Sequence, residues 1–274
     1  MAERFGQEAA LQRFQAAHLI AKDFDGTVAQ TFERSPNGLG VYEVHELAVE
    51  GVFGAEALEL YLKNGGLRNR APLEIVQELA PDAEDLELEQ LTVKFIDAKL
   101  DILLGEIGSR FPDGEVWPRP TPGYLELREK VELARADGRL IDDLMLTSAH
   151  EPFIFKTYRA WGVNRPTHVV AEDTVRRLKL GVPHEEQVKP SPLLMDLARN
   201  AWRQSYGLSL NDQSEDELGR IVYIGDDPVK DGELARRSGV DFMLLDKNNS
   251  LETWRSLANR LHLGQAALRA SHVG

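Results

Sequence analysis

Leu19-Ile20-Ala21-Lys22-Asp23-Phe24-Asp25-Gly26-Thr27 sets two carboxylates one residue apart where a short apolar run gives way to glycine. That pattern reads as the end of a β-strand. In extended backbone the side chains at i and i+2 point the same way, so Asp23 and Asp25 share one side and Phe24 takes the other. Gly26 lets the chain turn sharply out of a sheet, and Thr27 supplies a hydroxyl and an amide beside the acids. A lone Asp-x-Asp is more often two solvated acids in a turn. The choice between the two readings depends on what the rest of the chain places at its other strand ends.

With 274 residues, 42% apolar and 28% charged, the chain can bury one large core and an appended domain. Asp and Glu number 45 against 32 Lys and Arg, a formal charge of -13, which argues against nucleic acid or an anionic membrane surface as a primary partner. The absence of cysteine excludes disulfides, thiolate metal sites and a cysteine nucleophile, and fits a reducing compartment. No apolar stretch approaches the roughly 20 residues that span a bilayer, and Met1-Ala2-Glu3-Arg4-Phe5 lacks the design of a signal peptide. The expectation is a soluble, cytoplasmic protein.

Leu11 and Phe14 predict a short amphipathic helix over 8–17, ahead of the first strand. Ser35-Pro36-Asn37-Gly38-Leu39-Gly40 is turn-rich. From Tyr42 to about Gly108 the pattern is helical: a hairpin carrying Leu47, Phe53, Leu58, Tyr61 and Leu62, a helix opened by Pro72, and a long helix striped by Leu88, Leu91, Phe95, Ile102 and Leu103. The prolines of 111–122 suit a stiff hinge or linker.

After Gly123 strands and helices alternate. A helix through Leu127, Val131 and Ala134 stops at Gly138, and Leu144-Met145-Leu146 leads directly into Thr147-Ser148. Phe153 to Trp161 is helical, His168-Val169-Val170 is a strand, and Ser191-Pro192 caps and opens another helix. Ile221-Val222-Tyr223-Ile224 ends at Gly225-Asp226-Asp227, Phe242 to Leu245 is the next strand, and Asn249 with Glu252 makes a capping box for the last helix. Such alternation implies α/β architecture, a Rossmann-like doubly wound parallel sheet whose ligand sits beyond the carboxyl ends of the strands. Asp23/Asp25, Thr147/Ser148 and Asp226/Asp227 all fall at such ends.

Assembled, these residues resemble the haloacid dehalogenase superfamily, in its phosphatase-like branch with a helical cap inserted after the first motif, as in phosphoglycolate phosphatases and β-phosphoglucomutases. Its Asp-x-Asp-x-Thr motif stands as Asp23-Phe24-Asp25-Gly26-Thr27. Its strand-ending Thr or Ser matches Thr147, its Lys-Pro matches Lys189-Pro190, and its Gly-Asp with a later acid matches Gly225-Asp226 and Asp231. The resemblance implies a catalytic core from 1–29 and 119–274 and an all-helical cap from 30–118. Longer connections than the family usually has lie near 176–187 and 206–219, where Asn211-Asp212-Gln213-Ser214-Glu215-Asp216 reads as an exposed loop.

Asp23, Asp25, Asp226 and Asp227 converging on one crevice would repel by roughly 4 kcal/mol per pair at about 4 Å and an effective dielectric near 20. A divalent cation relieves this, and oxygen-only ligands favour Mg²⁺ over zinc. The resemblance implies Mg²⁺ held by Asp23, the backbone carbonyl of Asp25 and Asp226. It further implies that Asp23 is the nucleophile forming an aspartyl-phosphate and that Asp25 is the acid and base. Lys189 would bring positive charge to the phosphoryl group, Thr147 would hold a phosphoryl oxygen, and Ser148 reads either as a second phosphate contact or as a capping or packing residue. Asp25 separates this chemistry from the family's dehalogenases, which lack a carboxylate there. Asp227 reads as an acid standing behind the metal ligands or as a helix N-cap, and Asp231 as an orienter of Lys189 or a favourable charge at a helix start.

In the cap, Lys63-Asn64-Gly65-Gly66-Leu67-Arg68-Asn69-Arg70 reads either as a solvated connection or as a specificity loop whose Arg68 or Arg70 touches the substrate. His45, His150 and His184 lack ligand spacing to one another and read as surface or packing residues, His150 being the best of the three for a site contact, and Trp161 and Trp254 read as core. The expected partner is a small phosphorylated metabolite, with the oligomeric state unreadable. A sugar-phosphate mutase, a phosphonate-cleaving enzyme using Lys63, Lys94 or Lys99, and a non-catalytic scaffold are the competing readings.

Overall fold

The computed structural model describes residues 19–67, 70–137, 141–178, 186–205 and 221–259. Strands β1 (Leu19–Lys22), β2 (Asp142–Leu146), β3 (His168–Val170), β4 (Ile221–Gly225) and β5 (Asp241–Leu244) form one sheet in the order β3-β2-β1-β4-β5. Every pairing is parallel. β1 is central: Leu19 pairs with both Asp142 and Ile221, and Lys22 with both Met145 and Ile224.

Parallel neighbours need crossovers, and helices supply them. Between β1 and β2 lie α1 (Val41–Phe53), α2 (Ala55–Lys63), α3 (Pro72–Leu79), α4 (Asp85–Glu106) and α5 (Tyr124–Ala136). Helix α6 (Glu151–Ala160) precedes β3, α7 (Glu172–Leu178) and α8 (Pro192–Ser205) precede β4, and α9 (Lys230–Arg237) precedes β5. A 3₁₀ turn, Lys247–Asn249, leads into a helix over 250–259. Its cap is Asp246, whose carboxylate accepts from the Asn248 amide at 2.9 Å, so the helix entry is set earlier than the expected Asn249–Glu252 box.

Two compact units are present. The first comprises Met1–Gln30, Pro120–Glu151 and Asn164–Gly274, and the second comprises Thr31–Arg119 and Pro152–Val163. In the first, Leu19, Ala21, Leu144, Leu146, Ile221 and Tyr223 pack with Leu194, Met195 and Ala198 of α8 and Leu234 and Ala235 of α9. Full burial of each Leu, Ile or Met among them is worth about 1.5–3 kcal/mol. Successive strand residues alternate faces, and the opposite face carries charge: buried Lys22 bonds buried Asp143, which also pairs with Arg128 of α5 at 2.6 Å. Burial, and after it the charge of Arg128, holds the Lys22 amine well below its ordinary pKa.

The second unit is helical, with Ala48, Val49, Tyr61, Ile75, Val76 and Phe95 at its centre. Most of the proline-containing stretch expected to be a hinge is packed into this unit. Arg110 bridges Val116, the Phe111 amide donates to Glu115, and Trp117 is fully buried with its indole N–H donating to the Glu33 carbonyl at 2.7 Å. A large aromatic that finds a pocket and a hydrogen-bond partner outweighs the local stiffness of the prolines. Helix α6 joins the same unit: Phe153 meets Trp117 with ring centroids 6.2 Å apart, and the Trp161 indole donates to the Pro118 carbonyl.

Among the described residues no helix is long and apolar enough to cross a membrane. The leader helix over 8–17, the helix stop at Gly138, Arg68, His184, most of 176–187, and the 206–219 connection with its Asn211–Asp216 loop lie outside the described residues.

Candidate active site

All five strands run the same way, so the residues that follow β1, β2 and β4 emerge along one edge of the sheet. Asp23 continues β1, its amide donating to the Ile224 carbonyl at 2.9 Å. The chain then coils tightly. The Val28 and Ala29 amides both donate to the Phe24 carbonyl, and the Gly26 amide donates to the Ala29 carbonyl at 2.8 Å. Phe24 is fully buried, whereas Asp25 is partly exposed.

Lys189 joins distant parts of the chain. Its ammonium lies 2.6 Å from Asp23 Oδ1 and 2.8 Å from Asp231 Oδ1. Asp231 Oδ1 also accepts from the Tyr223 hydroxyl at 2.9 Å, and Asp231 Oδ2 accepts from the Asp227 amide at 3.2 Å. Both oxygens of Asp231 are therefore committed to holding Lys189 and the start of α9. Asp227 caps that helix, its Oδ1 accepting from the amides of Val229 at 2.8 Å and Lys230 at 3.0 Å. Asp226 points elsewhere: Oδ1 accepts from Thr27 Oγ1 at 2.8 Å, and Oδ2 lies 2.7 Å from Lys247 Nζ.

Burial pushes the Asp23 carboxyl up to about 7. Lys189 pulls against that shift, and the charges of Asp231 and Asp25 add to it. Burial also disfavours the Lys189 ammonium, but Asp23 and Asp231 outweigh it and hold its pKa above the ordinary value. Lys189 is thus a fixed positive charge in a nearly dry setting.

A divalent hard cation fits this set of donors. Carboxylate oxygens of Asp23, Asp226 and Asp231 lie within 4.8 Å of one another. Gly26 has φ +76°, and a Cβ there would stand 2.6 Å from Asp226 Oδ2, so the missing side chain is what lets the backbone approach the carboxylate. Asp231 accepts from Lys189, Tyr223 and the Asp227 amide and its side chain is 1% exposed, against 12% for Asp23 and 10% for Asp226, so Asp23 and Asp226 are the carboxylates of the cluster better placed to turn to a metal.

The other nominated residues are placed less directly. Thr147 is buried; its amide donates to Val170 and its hydroxyl accepts from the Ala149 amide at 3.1 Å, while Ser148 is exposed. His150 and His45 are buried. Arg70, in the helical unit, donates to the Gly66 carbonyl, pairs with Glu78 at 2.5 Å, and lies 5.3 Å over the Tyr61 ring, so its guanidinium holds its own loop together. Two residues escape a reading of the sequence. Tyr223, the one hydroxyl-bearing side chain in an aliphatic strand, anchors Asp231, and its hydroxyl oxygen lies 3.2 Å from the Leu146 carbonyl. Lys247 follows the carboxyl end of β5, where the strand-end rule directs attention.

The fold is a Rossmann-like α/β sheet with a helical unit inserted after its first strand, and solved phosphomutase and phosphatase structures are similar to it in fold. The β-phosphoglucomutase of Clostridium difficile aligns over 90% of this chain and 99% of its own, at 9% identity and a TM-score of 0.52. CbbY from Rhodobacter sphaeroides, solved with phosphate, covers 83% of this chain and 85% of its own at 19% identity and a TM-score of 0.49. A predicted phosphoglycolate phosphatase from Haemophilus somnus covers 85% and 86% at 15% identity and a TM-score of 0.47. No family model matches the chain, and no curated protein matches it.

Proposed function

We propose that this chain is a Mg²⁺-dependent phosphatase that hydrolyses a small phosphorylated metabolite through an aspartyl-phosphate on Asp23. The observation that carries the reading is the Asp23–Lys189–Asp231 arrangement beside Asp226: a carboxylate nucleophile held by an ammonium that is itself anchored by a second buried acid. A phosphate monoester is an anion, so a carboxylate attacks it only where fixed positive charge meets the phosphoryl oxygens.

In this reading an Asp23 oxygen attacks phosphorus while the bond to the ester oxygen breaks, and Asp25 gives its proton to the leaving alkoxide. Asp25, now a carboxylate, takes a proton from water as that water attacks phosphorus, releasing phosphate and restoring Asp23. Lys189 neutralises charge on the phosphoryl oxygens throughout, and Thr147 and Ser148, which follow β2, are the residues proposed to bind those oxygens. The Asp23 and Asp226 carboxylates and the Asp25 carbonyl would hold Mg²⁺, which would supply further neutralisation of the transferring group. Arg68 and Arg70 are the residues proposed to set substrate specificity.

Asp23→Asn is expected to abolish release of phosphate from a generic aryl phosphate with the thermal transition intact. Asp25→Asn should slow release by about 10²–10⁴-fold. Undiminished turnover in Asp23→Asn would overturn the assignment. Conversion of a sugar phosphate to its isomer without phosphate release would make the chain a mutase instead.

A further inference from the structure

Among the described residues two lysines reach this carboxylate cluster, and they are held very differently. Lys189 has a 4% exposed side chain and sits between Asp23 and Asp231. Lys247 has a 57% exposed side chain, rises from a 3₁₀ turn of three residues, and pairs with Asp226 Oδ2 at 2.7 Å. Its ammonium fills the same cradle that Gly26 leaves open: a Cβ on Gly26 would stand 2.6 Å from Asp226 Oδ2 and 3.1 Å from Lys247 Nζ. The Asp226 oxygen on that side therefore faces a tethered cation.

We infer that Lys247 is a built-in competitor for the divalent cation, setting the Mg²⁺ concentration at which Asp226 accepts a metal. The inference rests on the metal site proposed above. An ammonium and a divalent ion on one carboxylate oxygen repel strongly at such distances, so occupancy by one disfavours the other. The two lysines differ in which can yield. Lys189 leaves buried Asp23 and Asp231 without their cation if it moves, which is costly, whereas the Lys247 side chain is 57% exposed and its ammonium rehydrates on leaving Asp226. The coupling is reciprocal: whatever factor Lys247 takes from metal affinity, bound metal takes from the Lys247–Asp226 pair.

The test is Mg²⁺ binding to the full chain without substrate, by titration calorimetry, for wild type, Lys247→Met and Lys247→Arg. Lys247→Met is expected to bind Mg²⁺ about tenfold more tightly, with Lys247→Arg near wild type. In parallel, the rise in melting temperature on adding Mg²⁺ to metal-stripped protein should be larger in Lys247→Met, and this second reading also checks that the variant is folded. Unchanged or weakened affinity in a folded Lys247→Met, with wild type binding normally, overturns the competition and leaves the metal site standing. No binding in wild type or in Lys247→Met overturns the metal site and the competition with it.

Discussion

Among single residues, Gly26 is constrained twice, by its own backbone and by a neighbouring carboxylate. Its φ of +76° is left-handed, and an added Cβ would press on Asp226. Gly38 provides a control, since it has φ +85° and a Cβ added there would meet nothing within 4 Å. Alanine at either position should cost about 1–2 kcal/mol of stability from backbone strain. Only Gly26→Ala should also weaken Mg²⁺ binding and slow turnover, by about 10²-fold if Asp226 shifts by about 1 Å. Melting curves beside Mg²⁺ titrations of both variants check this, and equal metal affinities would refute it. Asp23, Lys189, Asp226 and Asp231 are legible in the sequence because they stand at strand or helix ends with characteristic neighbours, and they meet within hydrogen-bonding distance or one cluster. Tyr223 and Lys247 are not, because a tyrosine in an apolar strand and a lysine after another look like packing and solvation until their partners are known.

Among the elements, local pattern locates the strands but blurs their beginnings. The apolar run places β2 from Leu144, yet the strand starts at Asp142, because the acids that look like loop are paired across the sheet and from α5. That compensation is long-range and invisible in a window. Helix α1 hides a similar device. His45 is buried, its Nδ1 lies 2.8 Å from the Val41 carbonyl, and its ring meets Phe95 of α4 edge-on at 5.9 Å. Burial first, and then the charge of Lys99, lowers its pKa from 6.5 to about 3. The unfolded chain therefore takes up a proton near pH 6.5 that the folded helix refuses. Stability is complete above that pH and falls progressively down to about pH 3, by on the order of 3–5 kcal/mol over the whole window. Replacing His45 with Leu should remove this part of the acid sensitivity. The melting-temperature difference between wild type and His45→Leu should grow against wild type as pH drops from about 7 to about 4, and a gap independent of pH would count against it.

In the molecule as a whole, the insertion leaves and re-enters the sheet unit through adjoining backbone. Ala29 bridges Pro120, the Gln30 amide side chain donates to the Pro120 carbonyl at 3.0 Å, the Thr121 amide donates to Val28 at 2.9 Å, and Thr121 Oγ1 donates to Thr27 at 2.7 Å. A short Gly/Ser link from Gln30 to Pro120 therefore closes without strain, and loop closure over a few residues is entropically cheap. Deleting Thr31–Arg119 in this way should keep the five-stranded sheet. It should also strip the cover from α6, whose Phe153, Ile154 and Tyr158 are 2%, 0% and 1% exposed and which bonds Pro118 and Leu104 of the deleted stretch. The shortened chain should thus retain a cooperative melt but self-associate, and changing those three side chains to polar ones should return it to a single species in sedimentation. If the deletion instead abolishes the melt with all three changed, the sheet unit depends on the insertion for its folding and not merely for covering α6.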